Sequence, residues 1–357
     1  MIFLKNNVAF LINSLECGGA ERVITTVARK LKVPIYTLKN VKNHYDIKGV
    51  TVNPLSNAKS NLGMLMHSPL IIWKINKISK KIKIISFLEM ANFINIIGNK
   101  NAIISMRISV FFFDRMNGLC NKVNKYMIKL LYPKAKMIIV NSMENKKDLI
   151  KELGIMERKI DVIYNPVEKI VKIKNKKKSN KIRLISVTRL EKQKKVDMLI
   201  KSIRFIDNVE LSIIGYGSER FFLEKLVKKY RISNKVKFLG KQKNVYKYLN
   251  DADYFIYASE LEGFPNVLIE ATNAGLPIIT TEFKSGAREI IDPNLDLNTN
   301  IIYPYYGPNG VLVENNKFET QLSEILNNRK KLKQKKKGFD RFNLNNVVKK
   351  WLSVVNG

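Results

Sequence analysis

The sequence predicts an α/β protein made of two Rossmann-like, parallel-sheet domains facing a cleft. Three observations predict it. Apolar runs of strand length alternate with segments of helical periodicity through both halves, and no stretch consists of strands alone. Glycines stand where several of these strands pass into helices, the places where such folds gather ligands. Between the halves, Lys169 to Lys181 (KIVKIKNKKKSNK) is a charge run that a packed core cannot absorb, which sets a boundary there. The expected organisation is a first domain over 1–170, a second over 171–338 and a terminal helix, 339–357, packing back toward the first.

Composition narrows the class. The 357 residues suffice for two cores, and an apolar share of 45% supports globular packing. The formal charge of +34 points either to a polyanionic partner, such as nucleic acid or an anionic membrane, or to isolated lysines spread by a biased composition. Nucleic acid is disfavoured because no aromatic–basic motif or zinc-finger spacing accompanies the charge. Cys17 and Cys120 have no paired spacing, which suits a reduced compartment without a disulfide framework. His44 and His67 lack ligand-like neighbours, so a histidine-based metal site is not expected. No run approaches the roughly 18 apolar residues that span a bilayer, and the N-terminus lacks a signal-peptide pattern. A cytoplasmic location follows as the expectation.

In the first half, Val8 to Asn13 reads as a strand and Ala20 to Leu31 as a helix, with Gly18 and Gly19 at the helix mouth. Glycines there let backbone N–H groups approach an anion, although an ordinary turn explains them as well. Val33 to Leu38 and Gly49 to Val52 are the next strands. In Pro69 to Ile85, Ile71, Ile75, Ile78, Ile82 and Ile85 mark one helical face and Lys74, Lys77, Lys80 and Lys81 the others. The favoured reading is a helix packed on the core. The alternative is a helix on an anionic membrane, and residues 82–87 also read as strand. IKIISFLEMANFINIIG follows as strand, turn and helix, and NAIISMRIS as a strand ending near Arg107. Arg107 is a candidate for an acceptor or a phosphate, with a surface arginine as the bland reading. Phe111 to Leu131 is helical with an aromatic entry, Met137 to Val140 a strand, and Glu144 to Leu153 a helix preceded by the capping types Asn141 and Ser142.

The second half opens with the strand Ile182 to Val187, then Arg189 and Lys194 before a helix that turns Met198, Leu199 and Ile203 inward. Val209 to Ile214 is a strand followed by Gly215 and Gly217, which serve a tight turn or a phosphate equally well. Val236 to Leu239 is a strand, with Gly240 and Lys241 after it. Tyr254 to Ala258 is a strand, and Pro265 and Gly275 bracket a helix as its N1 residue and its stop. Glu262 lies in the intervening loop and Glu270 inside the helix, roughly 7 Å along the axis from its start. Two carboxylates so spaced suit two hydroxyl-bearing parts of one ligand, while solvent alone would explain the shared face of Asn266, Glu270 and Asn273. Ile278 to Thr281 is a strand, after which Ser285 and Gly286 precede a helical turn where N–H groups can meet sugar or phosphate. Gly310 to Val313 is a strand and Lys317 to Asn327 a helix. Arg329 to Lys337 is a solvated helix end or a basic patch, and Trp351, Leu352 and Val355 mark a short terminal helix.

Several of these stretches together resemble the retaining glycosyltransferases of family 4, which have the GT-B fold. EGFPNVLIEA matches the family's E-x7-E element, GGAER its N-terminal glycine block, RLEKQK its R-L-x3-K element and GYG its G-x-G turn. The resemblance covers nearly the whole chain. It implies that Glu262 meets the donor sugar and Glu270 the ribose, and that Arg189 and Lys194 hold the nucleotide diphosphate. It further implies that Gly18, Gly19, Gly215, Lys241, Gly263, Phe264, Ser285 and Gly286 line the donor pocket. Two cations can take a metal's electrostatic part, so a UDP-sugar without a divalent ion is expected.

Two departures stand out. Lys195 occupies a position where relatives usually have Gly, and the Met106–Arg107 loop lacks the His or Glu they often carry. Within the family, GGAERV, LLYPKA, EGFPNVLIEA and KSGARE look most like bacterial enzymes adding N-acetylgalactosamine to an undecaprenyl-diphosphate-linked oligosaccharide. The implied activity is transfer of a hexose or N-acetylhexosamine to a growing surface glycan, at the inner face of the cell membrane. A UDP-sugar epimerase or a phosphorylase on the same fold is the alternative.

Overall fold

The computed structural model describes residues 7–16, 18–109, 118–168, 179–328, 332 and 334–357. Cys17, the aromatic entry at 111–113 and most of the 169–181 charge run lie outside the described residues. The chain divides into two compact units, Met1–Pro166 with Leu344–Gly357, and Val167–Asn343.

The first unit holds a 7-stranded sheet in the order β3-β2-β1-β4-β5-β6-β7. Its strands are β1 (Val8–Ile12), β2 (Ile35–Thr37), β3 (Val52–Pro54), β4 (Lys83–Phe87), β5 (Ile103–Met106), β6 (Met137–Val140) and β7 (Ile160–Val162), all parallel. Strands buried on both faces explain why β1, β4 and β6 read as continuous apolar runs rather than alternating ones. β3 falls three residues later than Gly49 to Val52 suggests, because Gly49 takes a left-handed turn with φ 76°.

The 69–85 stretch splits into a helix, Ser68–Ser79, and the strand β4. Ile71 and Ile75 are fully buried, so that helix does pack on the core. Its other side carries exposed Leu70 and Trp73. Ser142 caps the helix Met143–Leu153 by accepting a hydrogen bond from Asn145 N, at 3.0 Å. The helix Leu344–Asn356 belongs to this unit: Trp351 is fully buried, with its ring centre 5.9 Å from that of Phe10 and 5.4 Å from that of Phe87.

The second unit holds a 7-stranded sheet in the order β10-β9-β8-β11-β12-β14-β13. Its strands are β8 (Ile182–Val187), β9 (Val209–Ile214), β10 (Val236–Gly240), β11 (Tyr254–Tyr257), β12 (Ile278–Thr281), β13 (Tyr305–Gly307) and β14 (Gly310–Val313). All pairings are parallel except the edge hairpin β13–β14. In such a sheet the strand order reverses between β8 and β11, and the loops at the carboxyl ends of those two strands form the natural ligand crevice.

The basic stretch after residue 328 meets the helix Asn266–Ala274. Among its described residues, Gln334 Nε2 donates to Thr272 O at 3.2 Å and Lys336 Nζ to Asn273 O at 2.7 Å. Both acceptors lie in the last turn of the helix Asn266–Ala274, where Gly275 N also donates to Thr272 O at 3.1 Å.

Candidate active site

The site is built where β8 and β11 end. After β8 the chain runs through Thr188 and Arg189 into a single turn of 3-10 helix, Lys192–Lys194. Lys195 then takes the left-handed conformation, φ 43° and ψ 38°, before the helix Val196–Ser202. This is the backbone shape that glycine adopts most easily, which explains the residue usual in relatives. Here Lys195 keeps that shape while its Nζ pairs with Glu260 Oε1 at 2.6 Å.

The loop after β11 is stitched to the loop after β8. Glu260 N donates to Gln193 O at 3.0 Å and Ser259 Oγ to the same oxygen at 3.4 Å, while Ser259 N donates to Thr281 Oγ1 of β12 at 3.2 Å. This frame sets Glu262 against Lys194: Lys194 Nζ lies 2.5 Å from Glu262 Oε1 and 3.4 Å from Leu261 O. Both side chains are largely buried, 7% exposed for the lysine and 12% for the glutamate. Tyr257, the last residue of β11, donates its hydroxyl proton to the same Glu262 oxygen. Burial first, and then the Glu262 charge, push the Tyr257 phenol well above its ordinary pKa, so it stays a donor at any physiological pH.

Arg189 is placed differently. Its side chain is 60% exposed and its Nη1 pairs with Glu191 Oε1 at 2.8 Å, on the same loop as Lys194. Glu270 sits within the helix Asn266–Ala274 and is only 6% exposed, so solvent does not account for it. Asn273 is 5% exposed and donates to Glu168 O at 2.6 Å. The helix starts at Asn266, with Pro265 as its N-cap rather than its N1 residue, and Gly275 closes it with φ 84°.

Phe264 and Pro265 meet the loop after β12. A Cβ at Gly286, whose φ is 113°, would stand 2.6 Å from Phe264 Cε2 and 3.2 Å from Pro265 Cδ. Gly286 and the buried Ser285 beside it are thereby held next to the Gly263–Phe264 turn. The β9 glycines serve close backbone approach. A Cβ at Gly215 would fall 1.7 Å from Thr188 O and one at Gly217 2.3 Å from Leu190 O, both on the β8 loop. Gly215 N is itself bonded to Gly240 O at 2.9 Å. Lys241 Nζ lies 5.5 Å from the Tyr216 ring centre, which brings it to the same loop.

Gly18 and Gly19 belong to the first unit. Gly18 N donates to Tyr45 Oη at 2.9 Å, and a Cβ at Gly18 would collide with the Glu21 carboxylate, 2.0 Å from Oε2. A phenol and a carboxylate therefore occupy the mouth of that helix. Arg107, also in the first unit, is not on the surface: it is 5% exposed. Sequence reasoning missed Tyr257, which looks like one more apolar strand residue, although its place at a strand end five positions before Glu262 was the available signal. Among the described residues, no group of three or more His, Cys, Asp or Glu side chains is placed to hold a metal ion.

Residues 167–339 match the model of the family described as glycosyl transferases group 1. The chain is 31% identical over 314 residues to the N-acetylgalactosamine-N,N'-diacetylbacillosaminyl-diphospho-undecaprenol 4-alpha-N-acetylgalactosaminyltransferase of Campylobacter jejuni, covering 79% of this chain and 82% of that one. Among solved structures, sucrose-phosphate synthase from Thermosynechococcus elongatus superposes with a TM-score of 0.79 at 15% identity, over 98% of each chain. Anabaena HepE in complex with UDP gives 0.77 at 17% identity, over 98% of this chain and 99% of that one. These two fix the fold as GT-B. With the extent of its kinship to the Campylobacter enzyme and the family match over the second unit, the chain belongs to the group 1 glycosyl transferases.

Proposed function

We propose that this glycosyltransferase moves a hexose or N-acetylhexosamine from a UDP-sugar, with retention at the anomeric carbon, onto a growing surface glycan carried on a lipid diphosphate. The observation that carries the reading is the buried Tyr257–Glu262–Lys194 cluster at the carboxyl ends of β8 and β11. In the reaction the acceptor hydroxyl oxygen bonds to the anomeric carbon. The bond from that carbon to the UDP oxygen breaks with its electron pair, and the hydroxyl proton passes to the departing diphosphate.

Each residue has a task in this scheme. Glu262, oriented by Tyr257 and Lys194, positions the sugar, and Lys194 with the exposed Arg189 offsets the charge building on UDP. Glu270 holds the ribose. Gly263, Phe264, Ser285 and Gly286 shape the sugar end, while Gly215 and Lys241 lie toward the base. The second unit is the donor domain and the first the acceptor domain. Cations taking the metal's electrostatic part make a divalent ion unnecessary. The lipid-linked acceptor is supported by the acceptor named for the Campylobacter relative.

A membrane contact fits such an acceptor. Leu62, Leu65, Met66, Leu70 and Trp73 are exposed on the helices Asn61–Met66 and Ser68–Ser79, with Lys77 Nζ 3.9 Å from the Trp73 ring centre. Among the described residues no helix is long and apolar enough to cross a membrane, so the contact would be peripheral. Co-sedimentation with phosphatidylglycerol vesicles should be lost in Trp73→Glu; binding equal to wild type would remove this part of the reading.

The test of the donor is a panel of UDP- and GDP-sugars scored for protection against thermal unfolding, since a ligand of the native state raises its stability by mass action. Protection by a UDP-sugar, with glycan product formed only when acceptor is added, supports transfer. Sugar isomerisation without acceptor, or phosphorolysis, would replace it with the epimerase or phosphorylase reading.

A further inference from the structure

Arg107 follows directly on β5, at the carboxyl edge of the first sheet where ligands of parallel sheets gather. Strand alternation puts Ile103, Ser105 and Arg107 on one face, and Ile103 packs there in the same core as Phe87 and Trp351. The Arg107 Cζ lies 5.3 Å from the Phe87 ring centre and 5.5 Å from that of Trp351. Nη1 donates to Asn165 Oδ1 at 2.8 Å. Two rings and one amide thus fix the plane and the rotation of the guanidinium.

The other edge of that plane is unsatisfied. Nε and Nη2, the two donors that point the same way, are shut off from solvent and have no hydrogen-bond partner among the described residues. Two more buried groups, Trp351 Nε1 on one of the flanking rings and Ser105 Oγ two residues back on the same strand face, also lack partners among the described residues. Burial draws the Arg107 pKa down to about 9, with no carboxylate among the described residues opposing the shift, and leaves it charged at neutral pH. Burying a cation with no counter-charge is among the least favourable arrangements a core can hold, and ring contacts recover only part of the loss. A methionine would fill the same space without that penalty. The Nε–Nη2 edge is the fork that donates to two oxygens of a single anion.

We propose that Arg107, with Ser105 and Trp351 beside it, is an oxyanion-binding site of the first unit that takes a phosphate-bearing ligand through its Nε–Nη2 edge. The site stands on the guanidinium alone; only the choice of phosphate among oxyanions rests on the proposed function. The phosphate can come from a lipid-linked acceptor, from a nucleotide or from free phosphate, and the probes separate these.

Binding of inorganic pyrophosphate, UDP and geranyl diphosphate to the full chain is measured by calorimetry for wild type, Arg107→Met and Arg107→Lys, together with the melting temperature of each without ligand. The expected result is a loss of affinity of tenfold or more for at least one probe in Arg107→Met, with melting at or above the wild-type temperature. Arg107→Lys, which keeps the charge but not the fork, should show a smaller loss for the same probe. A loss confined to geranyl diphosphate assigns the site to a lipid-linked acceptor, one confined to UDP to the nucleotide, and one shared with pyrophosphate to phosphate itself.

The proposal is overturned if both variants bind all three probes as tightly as wild type, or if wild type binds none of them. Should Arg107→Met not fold, Arg107→Lys decides on the same criterion. Absence of UDP-sugar protection in wild type would sink the donor reading and still leave the pyrophosphate and geranyl diphosphate results to judge this site.

Discussion

Lys194 and Glu262, 68 positions apart in the chain, meet as a buried ion pair of 2.5 Å, so each charge is already matched within the protein. Removing either partner strands the other in a poorly solvated place. Glu262→Ala should lower turnover by about 10² or more, and Lys194→Ala by a similar factor. The double variant should fall well short of the product of the two, because groups acting as a unit do not add. Initial rates with a UDP-sugar and acceptor check this. A near wild-type rate in Glu262→Ala would contradict the role given to it.

Gly215 tests the backbone packing behind that pair. With φ 146° and a Cβ position 1.7 Å from Thr188 O, Gly215→Ala forces a backbone clash on the β8 loop. It should cost about 2 kcal/mol or more in denaturant unfolding and weaken UDP-sugar protection. Gly154, with φ 61° and nothing within 4 Å of its Cβ position, is the control. Gly154→Ala should cost only about 1 kcal/mol and leave protection unchanged. Equal effects at both sites would remove the packing argument.

Glu89 gives the first unit a pH dependence. Part of the residue reaches the surface, but Oε1 is buried without a partner among the described residues, and burial raises the carboxyl from 4.5 to about 7. Below about pH 4.5 the group is protonated in both folded and unfolded chains and carries no penalty. As pH rises the unfolded chain ionises first, so stability falls from about pH 4.5 to about 7 and then levels, by an amount on the order of 3 kcal/mol. Glu89→Gln should be more stable than wild type at pH 8, and the difference should fade toward pH 4.5. Parallel stability profiles for the two proteins would rule the burial effect out.

Trp351→Ala removes the ring that lies against Phe10 and Phe87. A loss of about 3 to 5 kcal/mol is expected for a fully buried tryptophan. Urea unfolding followed by probes in the first unit measures it, and a change under 1 kcal/mol would mean that the core closes over the gap.

The alternation of strands and helices was legible because both sheets are parallel and bury their strands on two faces, which leaves apolar runs such as Ile182 to Val187 bounded by glycine or polar turns. The edge hairpin Tyr305–Gly307 was not, being a short strand of only partly buried residues. At the site, Glu262, Lys194 and Gly286 could be named from motifs. That Lys194 binds Glu262, and that Tyr257 shares the carboxylate, could not, because such contacts depend on how two distant loops are stitched together. Arg107 shows the same limit. Charge marks a residue for the surface by default, and only its neighbours Phe87 and Trp351 reveal that it is enclosed.

The helix Leu344–Asn356 delivers Trp351 to a sheet whose first strand begins at Val8, with all of Val167–Asn343 in between. During synthesis, then, the second unit can finish folding while the first still lacks a keystone of its interior. The order of completion is the reverse of the order of translation, and a nascent chain stopped short of its last two dozen residues would expose Phe10 and Phe87 to solvent or to a chaperone.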